Sequence, residues 1–327
     1  MAIAQLRKGQ IGKEATRGTA VAATKLLAGA LSVELEDEWH MPEDTLGRLS
    51  KYQVAQLIHK QIALKYSGPA YFEQLLWWLS MGVKGGVAGV QQALTLAYLW
   101  TYSPNLTAGN VPDTYTIEYG DEQQAWETEY CFARSLTLSG AGREAWKAEL
   151  DIVGRQLTET TFTGALELAT GLEAPIFNKT LFYINPTWAT LGTTVKAATL
   201  TSCSLTIPGF AALSMADGAD YFSSYGDQGR AITGRMTLVY NTIGDVEFDS
   251  YRAGTTRFVR LICLGSLIDT GHWKTLQIDM AIKYTKFTPL GEWEGQTVAE
   301  AEFVSVYDVT GAKEFEIIVK NALSAIP

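Results

Sequence analysis

The chain has 327 residues, of which 47% are hydrophobic and 19% are charged, and its formal net charge at pH 7 is −9. This length and hydrophobic content can bury a large core and fit two domains better than one. The acidic balance argues against a conventional DNA-binding protein, because such proteins gain affinity by neutralising phosphates. The widely spaced cysteines, without a CxxC pair, lack the pattern of a disulfide framework or a zinc site. No run of about 18 apolar residues is present to span a bilayer, so no membrane partner is expected.

Residues 1–30 are basic and show little periodic pattern. They contain five basic residues and one acidic residue, Glu14, so they carry +4 and the rest of the chain carries −9 − 4 = −13. Gly, Ala and Thr are frequent, but the segment lacks the continuous apolar stretch of a secretory signal. We therefore predict an extended N-terminal arm over residues 1–30.

Strand and helix patterns begin after this arm. Residues 32–39 alternate between apolar and acidic side chains, which predicts a half-buried strand, and residues 61–66 predict a second short strand. Residues 67–81 carry a proline near the first turn and apolar residues at helical spacing, so they predict a helix. Further strands of this half are predicted at 93–100, 115–119, 132–138 and 145–153.

Residues 155–190 are rich in threonine and interrupted by glycine and proline, which is typical of a connector. The second half then repeats the order of the first, with a short helix at about residues 244–251. Its strands are predicted at 203–207, 234–240, 258–264, 276–284, 303–309 and 314–319.

This repetition has a register. Four segments of the first half match segments of the second half in the same order and at nearly one offset, which predicts a duplicated β-domain. Phe132–Gly140 matches Phe303–Gly311 at an offset of 303 − 132 = 171 residues, and Glu144–Val153 matches Glu314–Val319 at nearly the same offset. Ser32 matches Ser202 at an offset of 202 − 32 = 170. Ala63 matches Met236 at an offset of 236 − 63 = 173.

The duplication sets the expected architecture. We predict a mainly β fold of two tandem β-sandwich or barrel domains, each with one flanking α-helix, preceded by the extended arm. The predicted boundaries are 31–172 for the first domain, 173–199 for a linker and 200–327 for the second domain.

The sequence Gly140-Ala-Gly-Arg-Glu-Ala145 is a GxGxxA string directly after a predicted strand. A dinucleotide-binding site would need a helix from Arg143 and an acidic residue about 20 residues later, which Glu159 or Glu167 could supply. The apolar residues within 150–153 favour a strand instead. We therefore interpret the string as the turn of a β-hairpin.

The residue types used in catalysis form no local signature. The histidines, His40, His59 and His272, have no partner at metal-ligand spacing, and no serine lies in a GxSxG sequence. Paired acids such as Glu36 and Asp37 fit glycosidase carboxylates, but solvated strand edges explain them equally well. No catalytic, cofactor or metal site is predicted, and the protein is not expected to be an enzyme.

Trp77 and Trp78 lie on the first predicted helix, where adjacent side chains point about 100° apart. Both rings can be buried only between two packed layers or at a subunit contact. Core packing and an oligomer interface are therefore both open.

Residues 12–24, with the sequence GKEATRGTAVAAT, resemble the N-terminal signature of phage tail tube proteins. Segments with the same likeness follow in order along most of the chain, whereas residues 155–200 and 210–228 match nothing in that family. The chain is thus similar to the major tail protein of long-tailed, siphovirus-like bacteriophages, of the type with a duplicated domain. The further segments are 115–121, the strand around Cys131 with 135–137, 229–234, 285–289 and 315–321.

This resemblance implies a fold and a function. Members of the family have β-sandwich-like tube domains with one flanking helix, and their strands join across subunits into a continuous inner β-barrel. Three duplicated chains would form a ring of six domains, and stacked rings would form a tube through which viral DNA passes without specific binding. The implied partners are further copies of the chain, the tape-measure protein and the tail-tip or terminator proteins, in a virion tail assembled in the host cytoplasm.

The resemblance also implies that the arm contacts a neighbouring ring, so we expect it to be loosely held in the free subunit. The candidate stacking residues are Lys13, Glu14, Arg17, Gly18 and Thr19.

A barrel wall alternates between packed and lumen-facing positions, so acids opposite apolar residues are candidates for the bore. An acidic or neutral lining would repel phosphates, whereas a basic lining would hold the DNA. Solvation of the outer surface explains the same pattern, and both interpretations stay open. The candidate lumen-facing acids are Glu34, Glu36, Glu38, Glu118, Glu149, Asp151 and Asp279.

Two alternatives to a tube subunit are compatible with the sequence. A two-domain β-sandwich carbohydrate-binding protein or glycosidase would also be rich in aromatic residues and carboxylates. Such a protein has no need of a basic arm, which is why it is the second hypothesis. A collar or tail-completion subunit of the same virion would be hard to distinguish by sequence.

Overall fold

The computed structural model describes residues 3–43, 45 and 47–327, and within these residues the chain forms 21 strands and two α-helices. The mainly β fold predicted from the sequence is confirmed. The first half contains β1 (Lys8–Lys13), β2 (Lys25–Leu26), β3 (Ala30–Leu35), β4 (Glu38–His40), β5 (Gln56–His59), β6 (Ile62–Pro69), α1 (Leu75–Gly82), β7 (Val90–Gln91), β8 (Tyr98–Tyr102), β9 (Tyr115–Gly120), β10 (Ala125–Ala141), β11 (Lys147–Gly154) and β12 (Thr158–Thr160). The second half contains β13 (Thr180–Asn185), β14 (Leu200–Pro208), β15 (Phe210–Leu213), β16 (Ser224–Asp227), β17 (Thr233–Val239), α2 (Thr242–Ala253), β18 (Arg257–Asp269), β19 (His272–Trp293), β20 (Gln296–Ser305) and β21 (Phe315–Asn321). Short 3₁₀ helices lie at Ala4–Leu6, Phe177–Lys179 and Trp188–Thr190.

A main sheet of eight antiparallel strands runs through both halves of the chain. Its order is β3-β6-β11-β10-β14-β17-β20-β19. The halves are joined within this sheet because β10 pairs with β14 over seven residue pairs, from Ser135 opposite Pro208 to Ala141 opposite Ser202.

Two long strands leave the main sheet and enter further sheets. The first part of β10 pairs with β9 and β12, and β9 continues the sheet through β1 to β2. The first part of β19 pairs with β18 and β21, which extend to β13 on one side and to β8 and β7 on the other. Each half therefore has a strand shared between two layers, as expected for a sandwich.

The strand pairings show an internal duplication. We call β1, β3, β6, α1 and β9–β12 the first unit, and β13, β14, β17, α2 and β18–β21 the second unit. Six pairings of the first unit recur in the second between strands in the same chain order. They are β1–β9 and β13–β18, β9–β10 and β18–β19, β10–β12 and β19–β21, β10–β11 and β19–β20, β6–β11 and β17–β20, and β3–β6 and β14–β17.

The register predicted for the repeat is wrong in its later part. Residues 132–153 were expected to match 303–319, but β10 corresponds to β19 and β11 to β20. The offset between equivalent positions is 234 − 64 = 170 for β6 and β17 but 303 − 152 = 151 for β11 and β20. It changes because the first unit carries β7 and β8 between α1 and β9, whereas α2 is followed directly by β18.

Residues 1–30 are not a free arm, and residues 173–199 are more than a linker. Strand β1 pairs along its length with β9, and Ile11 is fully buried. A Cβ atom at Gly12 would lie 2.5 Å from the carbonyl oxygen of Ala22, so only glycine fits there. The four inner residues of β1 are Gly, Gln, Ile and Gly, all buried, so a strand covered on both faces shows no alternation from which it could be predicted. Strand β13 similarly lies within the predicted linker and pairs with β18.

Helix α1 is buried along its whole length, including Trp77 and Trp78. The ring centroid of Trp78 lies 4.5 Å from that of Tyr66, so the tryptophans belong to the core of a single chain. The helix begins at Leu75, later than predicted, because β6 continues to Pro69 in its pairing with β11.

Helix α2 covers one face of the second unit. The side chain of Asn241 caps its first turn by accepting hydrogen bonds from the backbone N–H groups of Ile243 and Gly244. The ring of Phe248 lies 5.6 Å from that of Phe287 on β19. The helix therefore packs on the side of the main sheet to which Phe287 points.

Replacing Trp78, which is 0% exposed, with alanine should lower the free energy of unfolding by about 3–5 kcal/mol, because the cavity can close only in part. Urea denaturation followed by far-UV circular dichroism measures this change. Trp273→Ala is the control, because that ring is 44% exposed and its loss should cost less than about 1 kcal/mol. Equal losses for the two variants would contradict the described core.

Candidate functional site

The main sheet has one apolar and one polar face. Side chains such as Leu136, Leu205 and Phe303 point to one side and are buried in the main core with the two helices. The alternate positions carry serine, threonine and charged residues, which line shallow grooves along the other side of the sheet. We call this second side the polar face.

Acids and bases are nearly balanced on the polar face. The Nζ atom of Lys65 lies 3.2 Å from the carboxylate of Glu34, and that of Lys286 lies 3.6 Å from the carboxylate of Glu302. Three of the acids that the sequence offers as lumen-facing candidates, Glu34, Glu149 and Asp151, lie on this face, and the sequence pattern did not predict the bases beside them. The charged strand residues of this face are the acids Glu34, Glu149, Asp151, Glu300 and Glu302 and the bases Lys65, Arg134, Lys147, Arg235, Lys283 and Lys286.

Glu36 lies just beyond β3 at the end of the polar face. The guanidinium of Arg134 donates a hydrogen bond of 2.6 Å to its carboxylate, and the Gln61 amide donates one of 2.7 Å. The hydrogen bond from Arg134 is the main cause that lowers the pKa of Glu36. Arg134 also lies 3.9 Å from Asp151, so one base serves two of the predicted acids.

Three of the predicted lumen-facing acids do not lie on this face. Glu118 is buried on β9 and accepts hydrogen bonds from the backbone N–H and the hydroxyl of Thr163, at 2.8 and 2.6 Å. Asp279 is buried on the first part of β19 and makes two bonds of 2.7 Å with Arg260. Both belong to the further sheets, where the outward positions are covered. Glu38 is exposed but lies on the β4–β5 hairpin, outside the main sheet.

Hydroxyl groups line the seam between the two units, where β10 pairs with β14. Thr137 on β10 and Thr206 on β14 are opposite each other, and their hydroxyl oxygens lie 3.0 Å apart. Next to the seam, within the second unit, the hydroxyl of Ser202 on β14 donates to that of Thr237 on β17, at 3.0 Å. The polar face therefore continues across the seam without a charge.

Both ends of the main sheet have open edges among the residues that the structure describes. Strand β3 pairs with β6 on one side only, and residues 286–293 of β19 pair with β20 on one side only. Their equivalents in the duplication, β14 and β10, pair with each other. Each open edge is thus equivalent to a strand that has a partner inside the chain.

Burial differs sharply between these equivalent strands. Leu35 on β3 corresponds to Ile207 on β14, because β3 pairs with β6 in the same register in which β14 pairs with β17. Leu35 is 60% exposed, whereas Ile207 is 1% exposed. Val33 is likewise only partly buried, whereas its equivalent Leu205 is fully buried. An apolar edge strand of this kind is a template for pairing with another chain.

The candidate stacking residues of the arm are docked within the chain. The buried carboxylate of Glu14 accepts hydrogen bonds from the backbone N–H groups of Gly18 and Tyr130, at 2.8 and 2.7 Å. The hydroxyls of Thr114 and Thr116 also donate to it.

The neighbours of Glu14 are held in the same way. Lys13 lies 2.7 Å from Asp113, and the guanidinium of Arg17 lies 5.2 Å from the ring centre of Tyr225. Gly18 has a positive φ, and Thr19 closes the turn by donating to the carbonyl oxygen of Thr16. These contacts hold the segment against the first unit and, through Arg17, against β16.

The GxGxxA string forms the turn between β10 and β11. Gly142 has a φ of 52°, and β11 begins at Lys147 as an antiparallel partner of β10. A helix from Arg143 is absent from this described segment, so the hairpin interpretation is confirmed and the dinucleotide alternative is wrong.

The chain matches no protein-family model and no curated protein. Within the described residues, no helix has the length and apolar composition needed to cross a membrane. In the same part of the chain, no group of three or more His, Cys, Asp or Glu side chains is arranged to hold a metal ion.

Replacing Glu14 with alanine should lower the free energy of unfolding by about 2–4 kcal/mol, because the buried N–H groups of Gly18 and Tyr130 lose their acceptor. Hydrogen exchange should also become faster throughout β1. Glu167→Ala, at an exposed glutamate, is the control and should change stability by less than about 0.5 kcal/mol. Unchanged exchange in β1 of the Glu14 variant would show that the network does not hold this segment.

Proposed function

We propose that the chain is a structural subunit of the tail tube of a long-tailed bacteriophage. In this proposal three chains close into a ring, and stacked rings form the conduit for DNA. The observation that carries the proposal is the exposure of Leu35 on an open edge whose equivalent, Ile207, is buried by a neighbouring strand. The likeness of residues 12–24 to the tube-protein signature supports it independently.

The internal seam supplies the register of the proposed contact between chains. Within the chain, Leu136 on β10 lies opposite Ile207 on β14. The equivalent contact joins β19 of one chain to β3 of the next, with Phe287 opposite Leu35. The same register brings Lys286 opposite Glu36, so an apolar contact and a pair of opposite charges form together.

Ring closure would remove the open edges of every subunit. Each chain contributes eight strands to the main sheet, so three chains would give a barrel of 3 × 8 = 24 strands. Closing a sheet on itself leaves no unpaired edge, which is how barrels avoid uncontrolled strand addition.

The polar face is proposed as the lining of the bore. Helix α2 packs on the opposite face of the sheet, so the helices would lie outside the barrel. Paired charges and hydroxyls give a face with little net charge, and such a lining would let DNA slide without a basic surface to hold it. The proposed partners are other copies of the chain, a tape-measure protein and tail-tip or terminator proteins, in a virion assembled in the host cytoplasm. In this function the chain is not an enzyme and needs no cofactor.

The purified protein should form rings whose mass equals three chains, as measured by native mass spectrometry and negative-stain microscopy. Leu35→Asp should raise the concentration needed for half-assembly at least about a hundredfold, because the carboxylate would be buried against Phe287 of the neighbour. The control is Val246→Asp, at a 52% exposed position of α2, which should assemble normally. Rings of six chains, or monomers under every condition and in virions, would contradict the proposal.

A charge reversal on the polar face should slow DNA release. In phage carrying Glu149→Lys with Asp151→Lys, added positive charge in the bore would attract phosphates, and the delay should be larger at low salt, where screening is weakest. Fluorescence of DNA released after triggering measures the rate. The matched control is Asp245→Lys with Asp249→Lys on α2. Equal rates for the two variants, in tubes of normal stability, would place the polar face outside.

A further inference from the structure

Each unit continues from its first main-sheet strand into a hairpin, and the two hairpins have different surroundings. The β15–β16 hairpin, which follows β14, folds over the end of the first unit. The rings of Phe210 and Phe222 lie 6.4 and 5.6 Å from that of Phe132, and Val153 is buried beneath the same cluster. Four aromatic or aliphatic side chains are thus removed from water on the polar side of the sheet.

The equivalent surface of the second unit is covered only in part, because Val304 lies outside the apolar cluster formed there by Tyr183, Leu191, Phe258 and Ala281. Phe132 lies opposite Val153 in the β10–β11 pairing, and Lys283 lies opposite Val304 in the equivalent β19–β20 pairing. Phe132 therefore corresponds to Lys283, and Val153 corresponds to Val304. Val153 is fully buried, whereas Val304 is only partly buried and lies between Lys283 on β19 and Thr233 on β17. An apolar side chain is therefore partly exposed on an otherwise polar surface.

The equivalent hairpin, β4–β5, follows β3 and is rich in exposed apolar side chains. Side chains of this size clustered on one exposed element mark an interaction surface. About half of each is exposed in the free chain, namely Trp39 54%, Met41 49%, Tyr52 49%, Val54 55% and Ile58 51%.

We propose that the β4–β5 hairpin of one chain packs over Val304 of the preceding chain in the ring. The occupant of this surface is therefore a second copy of the chain, placed as β15–β16 is placed over Val153 within one chain. The inference rests on the proposed ring, because β3 must lie beside β19 of the preceding chain for the hairpin to reach this surface. It assigns the hairpin to contacts within a ring rather than between stacked rings.

Photo-cross-linking of assembled protein tests this placement. Benzoylphenylalanine at position 39 replaces an exposed tryptophan, and a mixture of isotopically light and heavy chains identifies cross-links between chains. The expected product joins the hairpin to the tryptic peptide 287–313 of another chain. The same probe at Val246 on α2 is the control and should give no such product.

The possible outcomes separate this inference from the proposed function. Absence of rings in the wild-type protein contradicts the ring itself. Rings in which position 39 cross-links elsewhere, or only within its own chain, overturn the hairpin contact alone. As a second measurement, Trp39→Ser with Ile58→Ser should raise the concentration for half-assembly about tenfold without changing the folded subunit, because two apolar contacts are lost. An unchanged assembly concentration would also overturn it.

Discussion

The pairing of backbone N–H and C=O groups across β10 and β14 is the interaction on which the rest of the structure depends. It joins the two units into one sheet and fixes their relative position, since each strand belongs to a different unit. It also buries the apolar side of β14, including Ile207. At the two ends of the main sheet, no further described strand of the chain pairs with β3 or with the second part of β19. The outer backbone N–H and C=O groups of these two strands therefore lack strand partners. The proposed ring follows from satisfying those edges in the way that the chain already uses internally.

In the proposed tube, the polar face would avoid binding DNA without being strongly acidic. A bore lined by unpaired carboxylates would repel DNA but would also repel itself, because like charges on neighbouring strands are destabilising. In this chain, Lys65 lies beside Glu34, and Arg134 lies between Glu36 and Asp151. Each pair is partly exposed and contributes little to stability. The pairing holds the basic groups close to carboxylates, so fewer basic groups are available to bind phosphates.

The sequence predicted the class of fold, the helix near residues 244–251 and the β10–β11 hairpin, because each has a local pattern with a strict period or a turn residue. It did not predict β1, since a strand that is covered on both faces needs no alternation. It placed Glu118 and Asp279 with the exposed acids, although their partners Thr163 and Arg260 are distant in the chain or lie on another strand. The later part of the repeat was misaligned because β7 and β8 interrupt one copy only. Long-range pairing, which decides these features, leaves no signal within a single segment.

Duplication within one chain also allows the internal and external seams to differ. The internal seam forms when the chain folds, so it can be closed by hydroxyls such as those of Thr137 and Thr206 and by fully apolar contacts. In the proposed ring, the open edges of β3 and β19 must stay soluble until a second chain binds. Edge strands achieve this with charged side chains, and β3 carries Glu34 while Lys286 lies on the open part of β19. The negative charge on β3 disfavours pairing of β3 with the β3 strand of another chain. It favours pairing of β3 with β19, whose open edge carries a positive charge. A duplicated chain can therefore specialise one copy of the seam for folding and the other for recognition.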